Sequence, residues 1–245
     1  MLKSKIFTPE EKEEYMVSLR TWLKEQREMP VEEMAGFFSA RLKDYENVHL
    51  RNWGEEYAHI ADHFYEETDT LLDIGCGTGL ELEAVFRRFP DVKVTGIDLN
   101  TDMLQQLNKK YGDRHINLIH ADYFEYPFGE ECFDAALSVE TLHHFKYDKK
   151  QEIYNKLFRC LRDGGCYVEC DYVACCPEEE ALCLDEYEYR RKKSGVPEDT
   201  FIHIDIPLTL EHQLELMKRA GFGEVEVLYQ SGTTVIFKAQ KYRRP

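Results

Sequence analysis

The feature that most constrains the fold is an alternation of short apolar runs and helical stretches that begins near residue 70. Runs of a few residues, rich in branched side chains and bounded by turns, are typical of strands buried on both faces. The predicted strands are 70–74, 93–97, 116–120, 133–139 and 166–173. The predicted helices between them are 80–89, 101–111 and 149–161. This order predicts a doubly wound α/β fold around a mostly parallel sheet.

The end of the chain departs from this alternation. Two further apolar runs, 225–229 and 233–239, are separated only by Gln230, Ser231 and Gly232. This spacing leaves no room for a crossover helix, so the two strands should pair antiparallel. The complete prediction is a seven-stranded, mostly parallel sheet with an antiparallel C-terminal hairpin strand. Such an ending argues against a plain nicotinamide-binding domain.

The regions outside the sheet predict two covering elements. Near the N-terminus, Thr8, Pro9 and Glu11 form the pattern of a capped helix start, and a second helix is predicted over 30–42. We therefore assign 1–50 to an N-terminal helical cap and 51–245 to the main domain. Within that domain, 174–208 follows the fifth strand at the edge where ligands bind in such sheets, which predicts a substrate lid.

The charge balance narrows the choice of partners. The chain has 31 Lys and Arg against 47 Asp and Glu, a net charge of −16 that repels phosphate backbones. A nucleic-acid partner is therefore not expected. The longest apolar runs, such as 135–139, fall far short of the roughly 20 residues that span a bilayer. Because the N-terminus also lacks the apolar core of a signal peptide, we expect a cytoplasmic protein without a membrane partner.

The cysteines do not indicate a metal site. The chain has 8 of them, mostly inside apolar runs, and without a secretion signal reduced thiols are expected. The five cysteines between 166 and 183 contain no Cys-x-x-Cys pair of the kind found in structural zinc sites. We therefore predict no metal.

A glycine-rich turn follows the first strand. Gly75, Gly77 and Gly79 alternate with other residues, and the last glycine of the dinucleotide fingerprint is missing. Glycines permit a positive φ and let a ligand touch backbone amides at the start of the next helix. Asp73 stands just before the turn, where it can face a ligand ammonium. The turn therefore predicts a ligand site at this strand end.

Two further acids stand at the ends of the next strands. Asp98 ends the second strand, where a carboxylate accepts the two hydroxyls of a ribose. Asp122, followed by Tyr123, ends the third strand, where an acid can accept from the amino group of adenine. Each acid alone is commonly a turn or helix-cap residue. Three acids at successive strand ends instead predict an adenosyl or nicotinamide ligand.

Taken together, these motifs resemble the class I S-adenosylmethionine-dependent methyltransferases over about residues 52–241. Segments 133–138 and 161–165 resemble the family's fourth strand and the turn before its fifth, and the terminal hairpin matches its reversed last strand. The resemblance implies S-adenosylmethionine as cofactor and S-adenosylhomocysteine as product. The cofactor-binding residues that it implies are Asp73, Gly75, Cys76, Gly77, Gly79, Asp98, Leu99, Met103, Asp122, Tyr123 and Val139, with Trp53 and Tyr57 closing over the methionine end.

The resemblance also indicates where the chemistry takes place. The segment after the fourth strand lies close to the sulfonium in this family, which makes Glu140, His143 and His144 the catalytic candidates. Methyl transfer is a direct displacement that depends on positioning, and a base is needed only if the acceptor is protonated. The alternative is that His143 packs under the cofactor and His144 caps the local backbone.

Acceptor contacts are predicted at the end of the fifth strand and in the lid. Asp171 and Tyr172 end that strand and could orient a hydroxyl or an amine, and Arg190 in the lid could bind an anionic acceptor. A solvated strand end and a mixed-charge helix surface are the alternative explanations.

Three functions remain open at this stage. The first is methyl transfer to a small-molecule acceptor by a monomer or homodimer. The second is that of a related branch, the carboxy-S-adenosylmethionine synthases of tRNA modification, which needs a cation for the added carboxylate. An approximate alignment of the lid puts Glu198 where an arginine is wanted as this cation, although Arg190 and Arg191 are nearby. The third is a non-catalytic S-adenosylmethionine-binding module.

Overall fold

The core of the molecule is a mixed β-sheet. In a computed structural model that describes residues 2–242, the chain contains seven strands. They are β1 (Thr70–Ile74), β2 (Lys93–Asp98), β3 (Ile116–His120), β4 (Phe133–Val139), β5 (Leu161–Tyr172), β6 (Glu224–Ser231) and β7 (Thr234–Gln240). Their order across the sheet is β3-β2-β1-β4-β5-β7-β6. Only β7 runs antiparallel to its neighbours β5 and β6. The predicted sheet is therefore confirmed, including the reversed hairpin strand.

Helices cover both faces of this sheet. They are α1 (Pro9–Gln26), α2 (Met34–His59), α3 (Leu82–Arg88), α4 (Thr101–Tyr111), α5 (Tyr147–Cys160), α6 (Pro177–Ser194) and α7 (Leu210–Ala220). Leu71 and Leu72 are adjacent on β1 and fully buried, yet they belong to separate apolar clusters on opposite faces. This is the burial expected for a sheet covered on both sides. Among the described residues, no helix is long and apolar enough to cross a membrane.

The sheet order also creates the crevice. Strand β1 pairs with β2 on one side and with β4 on the other. The connections from β1 and from β4 therefore leave the sheet in opposite directions, which opens a gap beyond the carboxyl ends of these two strands. In doubly wound sheets this switch point is where ligands bind.

The second helix is longer than predicted. The predicted range was 30–42, but α2 begins at Met34 and ends at His59, with a kink at Trp53. Its second half is largely polar, so its apolar periodicity is weak, and packing against α3 and α4 stabilises it instead. The helix continues across the predicted boundary at residue 50. Met1 and 243–245, at the ends of the predicted ranges 1–50 and 51–245, lie outside the described residues.

The cap and the lid pack against each other. Helix α1 begins with the predicted capping box between Thr8 and Glu11. Its buried Met16 contacts the start of the lid at Cys175 and Cys176. The lid comprises α6 and the extended segment that follows it, in which three isoleucines pack against α6. The two elements therefore form one cover over the carboxyl edge of the sheet.

A buried hydrogen-bond network joins the sheet to α5 and α7. The carboxylate of Glu169 on β5 accepts from the hydroxyls of Tyr154 (2.9 Å) and Tyr167 (2.8 Å), and Gln213 donates to the Tyr154 hydroxyl at 2.5 Å. All four residues are almost completely buried. A buried acceptor that loses its donor costs the full desolvation of the group.

We therefore expect Tyr154→Phe to lower the free energy of unfolding by about 1–3 kcal/mol, because it removes one donor from a buried carboxylate. The measurement is urea unfolding followed by circular dichroism. The matched control is Tyr147→Phe, whose hydroxyl accepts only from the exposed Arg219, and it should stay within about 0.5 kcal/mol of wild type. A loss of no more than about 0.5 kcal/mol in Tyr154→Phe would show that its hydrogen bond to Glu169 adds no stability.

Candidate active site

The glycine turn after β1 adopts a backbone that needs glycine. Gly75, Gly77 and Gly79 have φ values of 66°, 49° and 71°. A Cβ on Gly75 would lie 2.3 Å from Oγ1 of Thr141, which is inside any permitted contact. The amide N–H of Gly75 donates to the carbonyl oxygen of Ile97 at 2.8 Å. The turn is thus pressed between the ends of β2 and β4.

Asp98 at the end of β2 fixes the turn from the other side. Its Oδ2 accepts from the amide of Gly77 at 2.8 Å, and its Oδ1 accepts from the amide of Asn100 at 2.7 Å. Burial raises the pKa of Asp98, and these two backbone donors oppose that rise. The carboxylate is held in one orientation at the edge of the crevice.

A first cavity lies over this turn, beyond the carboxyl ends of β1, β2 and β4. It is lined mainly by apolar and aromatic side chains, with Asp98 and Asp122 among the few charged ones. The predicted residues that line it are Gly75, Gly77, Asp98, Leu99, Met103, Asp122, Tyr123 and Val139. The structure therefore brings most of the predicted cofactor set to one place.

A second, more open pocket adjoins the first. Its walls come from α1 and α2 of the cap, from the segment after β4, from the end of β5 and from the lid. Three residues line both cavities: Phe38, Tyr45 and Glu140. These side chains form the boundary, or junction, between the two cavities.

Glu140 is held in an unusual conformation at this junction. Its φ is +50°, in the left-handed region that glycine normally occupies, and its N–H donates to the carbonyl oxygen of Cys170 at 2.8 Å. Its side chain is 5% exposed and its Oε1 has no hydrogen-bond partner. Burial raises the pKa of Glu140 to about 8, although His143 opposes the rise. Backbone strain of this kind is concentrated at functional sites.

The two histidines after Glu140 face carboxylates. Nδ1 of His143 hydrogen-bonds to Asp171, whose other oxygen accepts from the amide of Leu142 at 3.0 Å. Burial lowers the pKa of His143, but Asp171 and Asp205 outweigh it and raise the pKa to about 9. Nδ1 of His144 lies 3.1 Å from Oδ1 of Asp205 without forming a hydrogen bond of good geometry.

Comparison with known proteins identifies the fold family. A family model described as a methyltransferase domain matches residues 71–165, which include β1, the glycine turn, Asp98 and β4. The chain belongs to the class I S-adenosylmethionine-dependent methyltransferases. Its cofactor is S-adenosylmethionine.

Several characterised proteins are similar to this methyltransferase. A carboxy-S-adenosyl-L-methionine synthase of Nautilia profundicola is 23% identical over 74% of this chain and 81% of that protein. A cycloartenol-C-24-methyltransferase of Arabidopsis thaliana is 30% identical over 65% of this chain but only 45% of that protein. The solved geranyl diphosphate C-methyltransferase of Streptomyces coelicolor A3(2) superposes with a TM-score of 0.59 at 17% identity, covering 78% of this chain and 77% of that one. At that identity the structural likeness shows the fold.

Five predicted cofactor residues of the methyltransferase do not line the first cavity. Asp73 is buried beneath the turn beside Glu81, and burial raises the pKa of both carboxyls, that of Glu81 to about 7. Cys76 packs against Gly96, and Gly79 packs against Leu107. Trp53 lines the second pocket instead, where its indole donates to Thr234 at 3.0 Å. Tyr57 is buried on α2 with its hydroxyl 3.2 Å from Nδ1 of His49.

The three predicted acceptor residues lie in three different places. Tyr172 lines the second pocket and its hydroxyl lies 2.9 Å from that of Tyr15. Asp171 is not among the lining residues of either cavity and instead holds His143. Arg190 lies outside both linings, where it donates to the backbone oxygens of Met29 and Pro30 at 3.4 and 3.3 Å. By contrast, the three catalytic candidates Glu140, His143 and His144 all line the second pocket.

The residues that the cap and the lid contribute to the two cavities were not predicted from the sequence. Helix α2 lines the first cavity with Met34, Ala35, Phe38 and Tyr45, and the lid adds Phe201 to it and His203 and Asp205 to the second pocket. Nothing in the local pattern marks these positions, because only tertiary packing brings them to the crevice. Asn100 also lines the first cavity. It could have been predicted as the residue before α4, since its side chain caps that helix in the way that asparagine before a helix normally does.

We expect Gly75→Ala to weaken S-adenosylhomocysteine binding by at least about tenfold, because the new Cβ strains a positive φ and collides with Thr141. Isothermal titration calorimetry measures the affinity. The control is Gly54→Ala, where a Cβ meets nothing within 4 Å, and its affinity should match that of wild type. Wild-type affinity in Gly75→Ala would mean that the turn is not part of the binding site.

Proposed function

We propose that this methyltransferase moves the methyl group of S-adenosylmethionine to a small-molecule acceptor bound in the second pocket. The observation that supports this is the junction of the two cavities at Phe38, Tyr45 and Glu140. The first cavity has a lining that suits the cofactor, and the second has walls from the cap and the lid. The second pocket has room for a small acceptor beside the first cavity, and the net charge of −16 disfavours an RNA.

The first cavity suits the cofactor at three points. Asp98, with both oxygens already oriented by backbone amides, is placed to accept the two ribose hydroxyls. Asp122, Tyr123 and Met103 then form the walls around the adenine, with the carboxylate available to its amino group. The backbone of the glycine turn lines the same cavity through Gly75 and Gly77 and would lie beside the methionine end. The cofactor supplies an electrophilic methyl group on a sulfonium.

The residues of this chain contribute mainly by positioning. Glu140 lies between the cavities with one carboxylate oxygen unpartnered, so it can hold a donor group of the acceptor in line with the methyl group. His143 and His144 face the acceptor side of the same junction and complete its polar wall. Aromatic rings of the cap, Phe37, Phe38 and Trp53 among them, supply the apolar surface that excludes water.

Nothing in the first cavity favours the carboxylated cofactor. An added carboxylate needs a cation, and the lining residues of this cavity in the described part of the chain include no Lys or Arg. The nearby arginines are engaged elsewhere, Arg190 with the cap backbone and Arg191 with Tyr187 at 2.7 Å and the oxygen of Thr200 at 3.1 Å. Glu198, at the aligned position, is exposed beside Arg191.

Replacing the ribose acid tests the cofactor half of this proposal. Asp98→Asn should weaken S-adenosylhomocysteine binding by about 1–3 kcal/mol, or roughly 5- to 150-fold, because an amide cannot accept both hydroxyls and both backbone donors. Calorimetry provides the value. Asp102→Asn, on α4 outside the cavity lining, is the matched control and should bind as wild type does. An unchanged affinity in Asp98→Asn would refute the ribose assignment.

Label transfer tests the acceptor half. We expect methyl-labelled S-adenosylmethionine, incubated with the purified chain and separate pools of metabolites, RNA and protein, to label a compound in the metabolite pool. Glu140→Gln, assayed above the pKa of Glu140, should lower that rate by at least about tenfold, because the amide replaces a charged acceptor at the junction. The control Glu188→Gln, on the surface of the lid, should not change it. Label in RNA or protein would contradict a small acceptor, and S-adenosylhomocysteine binding without any transfer would indicate a binding module.

A further inference from the structure

Three side chains of the second pocket form a cluster with the chemistry of a metal site. They are His143 and His144, from the short helix after β4, and Asp205 from the lid. One ligand atom from each lies within 4.8 Å of the other two. Nδ1 of His144 is 3.1 Å and Nε2 of His143 is 3.7 Å from Oδ1 of Asp205. Metal–ligand bonds of about 2.0–2.2 Å place neighbouring ligand atoms about 3 Å apart, so little movement is needed.

The surroundings of His143 match those of a ligating histidine. Its Nδ1 is bonded to Asp171, whose second oxygen is fixed by the amide of Leu142. A carboxylate on one ring nitrogen orients the imidazole and increases the basicity of the other, the arrangement usually found behind metal-bound histidines. Nε2 is the nitrogen that remains, and it faces Asp205 and the pocket.

A second, independent observation is the unpartnered nitrogen of His144. The side chain is 3% exposed, and its Nδ1 has no hydrogen-bond partner although it points at Asp205. A buried imidazole nitrogen without a partner is costly, and a cation would satisfy it. The lid backbone fixes the third ligand, because the amide of Ile206 donates to the carbonyl oxygen of His143 at 2.7 Å.

We propose that His143, His144 and Asp205 bind a divalent transition-metal cation in the second pocket. Two imidazoles and one carboxylate suit zinc, iron or a similar ion and leave its remaining positions open toward the pocket. Under the proposed function, an acceptor with two neighbouring oxygen donors would occupy them. The ion itself does not depend on methyl transfer. The sequence predicted no metal because Asp205 joins the histidines only in the fold.

Cobalt titration of the full chain tests this proposal. The protein is first treated with a chelator and desalted, then titrated with Co²⁺ while the visible absorption is followed, and with Zn²⁺ by calorimetry. We expect one equivalent to bind, with visible d–d bands and without the near-ultraviolet band of thiolate ligation. Asp205→Asn and His144→Gln should each weaken binding by about tenfold or more.

The matched control is His212→Gln, which alters a histidine paired with Glu180 outside the pocket at 2.7 Å. It should bind cobalt as wild type does. S-Adenosylhomocysteine affinity, measured on every variant, reports an intact fold and separates this test from that of the proposed function. The proposal is overturned if cobalt does not saturate, if the thiolate band appears, or if both pocket variants bind it as tightly as wild type, since the cluster would then be an ion-pair network only.

Discussion

The rest of the site depends on one constraint, the fixed position of the glycine turn between Asp98 and Thr141. Asp98 holds the turn through the amide of Gly77, and Thr141 leaves no space for a side chain at Gly75. The turn therefore lies between the ends of β2 and β4, and the segment after β4 crosses directly beside it. That crossing places Glu140 between the two cavities, with a backbone conformation that only its surroundings can maintain.

The cap and lid complete the site by closing the side that the sheet leaves open. Contacts between them include the paired hydrogen bonds of Arg20 to Glu178 at 2.9 and 3.0 Å and the burial of Met16 against Cys175 and Cys176. The exposed pair contributes little energy, so the apolar contacts account for most of the attachment. The same two elements also line the second pocket. The shape of that pocket and the stability of this cover are thus physically linked.

The sheet and the cofactor edge could be predicted from the sequence because their signals are local. Each buried strand has its own apolar run, and the glycines and Asp98 occupy fixed positions relative to those runs. The second pocket could not be predicted in the same way. Asp205 and His203 lie in an irregular part of the lid, Tyr45 lies on α2 beyond the predicted helix end at residue 42, and Arg190 turns toward the cap backbone. Long-range packing determines where all four point.

The most direct test of this account is a crystal structure of the chain with S-adenosylhomocysteine bound. The account predicts the ribose hydroxyls within hydrogen-bonding distance of Asp98, the adenine beside Asp122 and Tyr123, and the sulfur facing the second pocket next to Glu140. Methyl transfer across the junction requires that orientation. A ligand bound outside the first cavity, or with its sulfur separated from the second pocket by protein, would contradict the proposed path from cofactor to acceptor.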